Sequence, residues 1–477
     1  MVTNVERRDP VGWFASRAVF TRDCFSAIRV SRQDHLREAI RQKLGDAVTA
    51  PFPLLTRRDA AAPFLAGKAR AVIGMRRAGK TSFLHQCLAD RLAEGIERDR
   101  LVYFNFEDER LGALEVDQLG AIPDEYYRSF PRYRGAVRVT WCLDEIQVIP
   151  GWERFVRRML DSENVEVLLS GSSARMLSRE VATAMRGRAL ETVITPFSFR
   201  EFARARGEVA PARRRLIGAA DQSKWLARFD DYMEVGGFPE ASRIAPARER
   251  VGLLQGYVDS VLFRDVAERH GVANLVALRA LVRQLLRQPA ATLSVNKIYS
   301  DFRSRGIGVS KENLLAFLAH LEDAFLVFTV PLATRSERQR QVNLRKFYLA
   351  DHGLAQAFSP TSGLDRGHLL ENIVAVELTR QSRDLAYVKT AQGHEVDFLA
   401  TAFDGSRCLV QVAADISARA TFDREVRSLV EAGAAFPDAR RILLTENAPP
   451  RGATLPDGVE RLPVWRWLLD APGGGEG

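Results

Sequence analysis

The stretch Ala71-Val72-Ile73-Gly74-Met75-Arg76-Arg77-Ala78-Gly79-Lys80-Thr81-Ser82-Phe83-Leu84 decides the fold. A short apolar run enters it and a helical pattern, continuing to Leu88, leaves it, so it reads as strand, loop, helix. Its centre follows the spacing Gly-x-x-x-x-Gly-Lys-Thr in full. Glycines at both ends let consecutive backbone N–H groups turn inward around phosphate oxygens, and the helix N-terminus adds its positive dipole end. Gly74, Met75, Arg76, Arg77, Ala78, Gly79, Lys80, Thr81 and Ser82 are therefore the expected cradle for ATP. Lys80 is expected to reach the β- and γ-phosphates and Thr81 to ligate Mg2+ through its hydroxyl.

Working outward, a triphosphate site also needs an acid for the metal and a base for the attacking water. Val137 to Leu143 is an apolar strand ending in Asp144-Glu145. Asp144 is expected to support Mg2+, and Glu145 to polarise water for attack on the γ-phosphate. A second strand, Val165 to Leu169, ends in Ser170-Gly171-Ser172-Ser173. Ser170 reads either as a sensor of the γ-phosphate or as part of a plain Ser/Gly turn. Arg186 and Arg188 follow one helix later. They read as donors to transition-state charge, in cis or across a subunit contact, or as a solvated helix face.

Apolar runs at Ala71–Ile73, Leu101–Phe106, Val137–Leu143, Val165–Leu169 and Leu190–Ile194 alternate with helical patterns. That is the rhythm of a parallel α/β sheet covered on both faces. The 477 residues suggest about three domains, and 46% hydrophobic with 27% charged residues excludes wholesale disorder. Of the 69 bases, 61 are Arg and 8 are Lys, for a net charge of +9. Four cysteines without CxxC spacing exclude a zinc or disulfide framework. No apolar run approaches a membrane span and no signal peptide is visible, so a cytoplasmic, soluble protein is expected.

Taken together, GMRRAGKT (74–81), FNFEDERL (104–111), LDEIQVIPGWE (143–153), SGSSARMLSRE (170–180), RGR (186–188), PFSFREF (196–202) and GGFPE (236–240) resemble a family of bacterial and archaeal AAA-class P-loop ATPases. RDVAERHGV (264–272), ENIVAVEL (371–378) and EVDF (395–398) extend the resemblance to about residue 430. It implies an α/β P-loop ATPase core with a helical lid, a winged-helix module and a C-terminal domain resembling PD-(D/E)xK (restriction-endonuclease-like) nucleases. The expected division is an N-terminal helical extension (1–65), the core (66–205), the lid (206–290), the winged helix (291–355), the nuclease-like domain (356–470) and a tail (471–477).

Ser294 to Glu322 itself has the shape of a helix–turn–helix, with Ser310 capping a second helix whose Leu314, Phe317, Leu318 and Leu321 fall at helical spacing. Residues 271–362 carry 12 bases and 6 acids. Residues 291–345 are the expected contact for double-stranded DNA, with a packing role as the alternative. In the nuclease-like end, Glu371, Asp397 and Gln411 are candidate ligands of a vestigial metal site; Gln411, which can lend a carbonyl oxygen, stands where a second acid would, and Ala413 where a lysine would. Glu395 is expected to point away from Asp397. With 13 bases against 17 acids over 363–477, a degenerate, non-cleaving domain is expected. The leading functional reading is a Mg2+-dependent ATPase switch that forms a homo-oligomer. An ATP-gated nuclease and a nucleotide-binding scaffold are the alternatives.

Overall fold

Five short apolar runs pair as one parallel sheet in the computed structural model, which describes residues 20–112, 114–171, 185, 187–210, 218–334, 336, 338, 344–359 and 364–470. The strands are β1 (Ala69–Ile73), β2 (Leu101–Asn105), β3 (Val139–Asp144), β4 (Val165–Ser170) and β5 (Ala189–Val193), in the order β2-β3-β4-β1-β5. β3 and β4 are buried at every position, as continuous apolarity demands when helices cover both faces. Alternation divides their side chains between two cores. Val72, Cys142 and Leu168 enter one, and Ala71, Ile73, Trp141, Leu143 and Leu169 enter the other.

The order matters for function. Inserting β4 between β1 and β3 brings three carboxyl ends side by side, where open α/β sheets bind ligands. The covering helices are α1 (Phe20–Thr49), α2 (Lys80–Ala93), α3 (Ala121–Ser129) and α4 (Trp152–Ser162). Arg98 closes the end of α1, donating to the carbonyls of Ala47 at 2.6 Å and Ala50 at 2.8 Å. A cation there satisfies orphan carbonyls and the helix dipole.

Helices follow: α5 (Phe199–Ala205), α6 (Ala219–Val235), α7 (Ala247–Ser260), a π-helical turn (Val261–Glu268) and α8 (Leu275–Arg287). Beyond them come β6 (Thr292–Leu293), α9 (Val295–Ser304), α10 (Lys311–Asp323), β7 (Val327–Val330) and β8 (Arg345–Leu349), the strands pairing antiparallel as β6-β8-β7. Ser294 and Ser310 cap α9 and α10, accepting from the N–H groups of Lys297 and Asn313.

The last segment holds α11 (His352–Phe358), α12 (Arg366–Gln381), β9 (Ser382–Lys389), β10 (Glu395–Ala402), β11 (Arg407–Ala413), α13 (Arg419–Ala435), β12 (Arg440–Thr445), β13 (Val459–Pro463) and α14 (Val464–Leu469). Its sheet, β13-β12-β11-β10-β9, is antiparallel over β9 to β11 and parallel over β11 to β13. Gly393 lies between β9 and β10 and Gly405 between β10 and β11. Both glycines have positive φ and turn the chain between three strands.

One hydrophobic core runs without a break from the β1–β4 face through α6 to α8 and on to Phe398, Val410 and Ile442. Polar ties follow the same path. Arg200, nearly buried, donates to Asp59, to Glu377 on α12 and to the carbonyl of Leu468. Arg380 donates to Thr195 and Pro196 at the end of β5. The backbone at Gly237 leaves no room for a Cβ against the Phe197 carbonyl, and its N–H donates to buried Asp351 at 2.7 Å. Among the described residues no helix is long and apolar enough to cross a membrane.

Candidate nucleotide site

Residues 74–79 leave β1 and curl over the N-terminus of α2. The curl needs unusual backbone. Gly74 has φ +143° and a Cβ there would collide with the Ile194 carbonyl, while Gly79 sits at φ +100° as the helix N-cap. Arg58 braces the loop from outside, donating to the Ala78 carbonyl at 2.8 Å and pairing with Glu201 at 3.1 Å.

Lys80 is buried, and its ammonium folds back on the carbonyls of Gly74 and Met75, each at 3.1 Å. Burial lowers its pKa, with the charge of Glu145 opposing the shift. A phosphate placed in the curl would supply the anion that the lysine lacks. Arg76 turns the other way and grips Asp265 on the π-helical turn at 3.1 Å through two nitrogens. Arg77 is exposed, lying 4.0 Å from Glu240 and above the ring of Tyr257.

Asp144 ends β3 and is the hub of the site. It accepts from Thr81 at 2.9 Å, from Tyr103 at 2.6 Å and from Ser170. Ser170, at the end of β4 between β1 and β3, also accepts from the Glu145 N–H at 3.0 Å. Glu145 has positive φ, rare for a side chain of its size, and its carboxylate accepts from Gln147. Burial raises its pKa, opposed by Lys80. The adjacent hydroxyl of Thr81 and carboxylate of Asp144 are hard oxygen donors of the kind that suit Mg2+.

Arg188 lies elsewhere. Its carbonyl accepts from the N–H of Ala69 at the start of β1, and its guanidinium pairs with Asp161. The phosphate loop leaves the opposite end of that strand, some 13 Å away at about 3.3 Å per residue. Arg188 therefore cannot serve the site of its own chain, which corrects the cis reading for that residue. Arg186, Ser172 and Ser173 lie outside the described residues. Tyr103, Arg58 and Asp265 were not singled out in the sequence. Tyr103 stands inside an apolar strand, and the ion-pair partners of the other two come from more than 140 residues away in the chain.

Residues 66–203 match the AAA domain family, and 226–365 and 366–465 match two domains of unknown function, DUF8612 and DUF4143. An uncharacterized protein of Methanocaldococcus jannaschii, MJ1544, is 30% identical over 429 residues, covering 86% of this chain and 90% of its own. The chain belongs to the bacterial and archaeal AAA-class P-loop ATPase family. An uncharacterized Haemophilus influenzae protein is 28% identical over 84% of this chain and 94% of its own. Among solved structures, the Walker-type ATPase PABY2304 of Pyrococcus abyssi superposes with a TM-score of 0.40 and 14% identity, over 68% of this chain and 95% of that one.

This AAA-family chain carries a second cluster of acids at its C-terminal sheet. Glu371 on α12 and Asp397 on β10 converge there, and between them lies the ammonium of Lys346, from β8. It is 2.9 Å from Glu371, 3.0 Å from Asp397 and 2.7 Å from Glu395. Two readings of the sequence are corrected. Glu395 does not point away from Asp397: residues two apart on a strand share a face, and both carboxylates reach the Lys346 ammonium. The cluster does not lack a lysine; β8 supplies it in place of Ala413. Gln411 is turned from the acids. Its oxygen accepts from the Asp397 N–H and its nitrogen donates to Glu425. Tyr348, two residues from Lys346 on the same strand face, donates to Glu371 at 2.7 Å. The spacing of Lys346 and Tyr348 in an apolar strand was the available signal.

Proposed function

We propose that this chain is a Mg2+-dependent ATPase whose nucleotide state is relayed to its helical and C-terminal modules, with duplex DNA as the object acted on. One observation carries the reading. Lys80, Thr81, Asp144, Glu145 and Ser170 gather at the carboxyl ends of three adjacent strands. In it, Gly74 to Ser82 bind the phosphates, and Lys80 leaves its carbonyls for the β- and γ-oxygens. Thr81 and Asp144 hold Mg2+, which when bound neutralises charge developing on the phosphate oxygens. Glu145 accepts a proton from the attacking water, and Ser170 links its position to Asp144.

The relay begins at Arg76. This loop residue is tied to Asp265, so a phosphate that reorders the loop pulls on the π-helical turn between α7 and α8. We assign 66–205 to the ATPase core, 206–290 to a helical lid, 291–355 to a winged helix and 356–470 to a restriction-endonuclease-like domain. That last domain is assigned no cleavage, because the Lys346 ammonium occupies the space its acids enclose. Arg188 is left a role only across a subunit contact in a homo-oligomer, while Arg186 is assigned transition-state stabilisation in cis or across that contact.

The test is ATP turnover by the purified chain with Mg2+. Lys80→Ala is expected to abolish the ATP-induced rise in thermal midpoint. Glu145→Gln is expected to keep that rise while hydrolysis falls by about 10²–10⁴-fold. Wild-type protein with neither turnover nor thermal response to ATP would refute the proposal.

A further inference from the structure

On the ATPase core several exposed arginines are engaged by acids, although among the described residues Arg132, Arg138, Arg154 and Arg158 are not. Arg41 and Arg128 pair with Glu125, Arg110 with Asp46 and Asp108, and Arg134 with Glu163. Helix α8 differs. It carries Arg279, Arg283 and Arg287 and no acid at all. Spacing by four residues puts the three on one face, while Leu278, Leu281, Val282 and Leu285 are buried on the other. All three are exposed, and none lies within ion-pair distance of a carboxylate among the described residues. Arg279 rests on the ring of Phe263 at 4.8 Å. At 1.5 Å rise per residue the guanidinium row repeats every ~6 Å and spans ~12 Å.

Clefts flank the row on both sides. One, of about 620 Å³, lies between α8 and α9 and is lined by the three arginines with Arg305, Val276 and Ile307. Arg305 is 3.6 Å from Asp301, an exposed pair that leaves the cleft strongly positive. The other, of about 480 Å³, shares the same three arginines and contains one acid, Asp259.

We infer that the α8 row, with Arg305, is a docking track for the phosphate backbone of duplex DNA. A straight, rigid row of fixed charges suits a regular rigid polyanion, whose strands each present a phosphate every ~3.4 Å of axis. Single-stranded DNA and RNA are instead bound by stacking bases on aromatic platforms. The α8–α9 cleft has none; its apolar lining is Val276, Ala280 and Ile307. Such contacts set position and register, not sequence. Nor is α10, the second helix of the helix–turn–helix, built for base reading. It exposes Lys311, Glu312, Asn313 and Leu315, a single base matched by an acid, with no row of cations beside them. The track thus lies largely before residues 291–345. It rests on the DNA part of the proposed function and not on ATP hydrolysis.

The test is a fluorescence-anisotropy titration of the full-length protein against a labelled duplex, without nucleotide, from about 50 to about 200 mM salt. Removing three phosphate contacts by the triple variant Arg279→Ala, Arg283→Ala, Arg287→Ala should lower the slope of log K against log[salt] by about 2.7. Affinity at the low-salt end should fall at least about tenfold. The corresponding triple Lys variant should keep the slope, and both variants should keep the wild-type thermal midpoint and DNA-free ATP turnover. An unchanged slope in the Ala variant overturns the track. So does wild-type protein that hydrolyses ATP but binds no duplex, or that prefers single strands or RNA through the same arginines. Duplex binding without ATP turnover would instead sink the ATPase reading and leave the track standing.

Discussion

Two lysines of this chain sit close to carboxylates, and they are held in opposite ways. Lys80 is buried beside Asp144 and Glu145, yet its hydrogen bonds go to two backbone carbonyls, and burial lowers its pKa. Lys346 touches three carboxylates directly, and their charges, outweighing burial, raise its pKa. The first is an ammonium whose anion is still to come. The second already has its anions, and any cation entering that space would have to displace it. The same residue types therefore make a receptive site at one sheet and a closed one at the other.

Lys80→Ala is the largest expected effect, removing ATP binding and lowering turnover below detection in a steady-state assay. A variant that still bound ATP tightly would break the comparison, because Lys80 would then be structural, like Lys346. Lys346→Met should leave ATP turnover intact but uncover Glu371, Glu395 and Asp397. Stripping one partner from buried charges costs about 3–5 kcal/mol, read as a fall in denaturant midpoint. Glu371→Gln in the same chain should recover part of that loss, and Mn2+ should protect the Lys346→Met protein more than wild type. Metal-dependent plasmid cutting by wild-type protein would reverse the assignment of the second site as closed.

Smaller effects sharpen the contrast. Burial raises the pKa of Glu145, and a general base must be ionised to act. The acid limb of kcat/KM for ATP should therefore lie above the ordinary glutamate range near about 4.3, with activity present above it and lost as pH falls through it. The Glu145→Gln residual rate should lose this limb. Tyr103→Phe removes one hydrogen bond to Asp144, worth about 1.5–3 kcal/mol to a charged acceptor, and should weaken Mg2+ dependence before it alters ATP affinity.

Most of the first site was legible because its chemistry is local. Gly74 to Thr81 are contiguous, and Asp144, Glu145 and Ser170 each end an apolar strand. The second site was misread because its parts are not local. Lys346 belongs to a different sheet from Asp397, whereas the shared face of Glu395 and Asp397 follows from alternation itself, since residues two apart on a strand point the same way. The DNA expectation rests on the helix–turn–helix shape of Ser294 to Glu322 and on net charge over 271–362, and neither says which arginines are already paired. Only the structure separates Arg279, Arg283 and Arg287 from the paired arginines of the core.

The amino-acid sequence by itself determined the phosphate loop, the five-stranded parallel sheet and the acid pair that follows it, since each depends on periodicity and spacing within a few residues. The tertiary structure decided what long-range packing controls. It put β4 between β1 and β3 and joined Arg76 to Asp265 across 189 residues. It removed Arg188 from its own site, and it filled the C-terminal acid cluster with an ammonium from β8. Charges act through space, and their partners are set by which surfaces meet when the cores close.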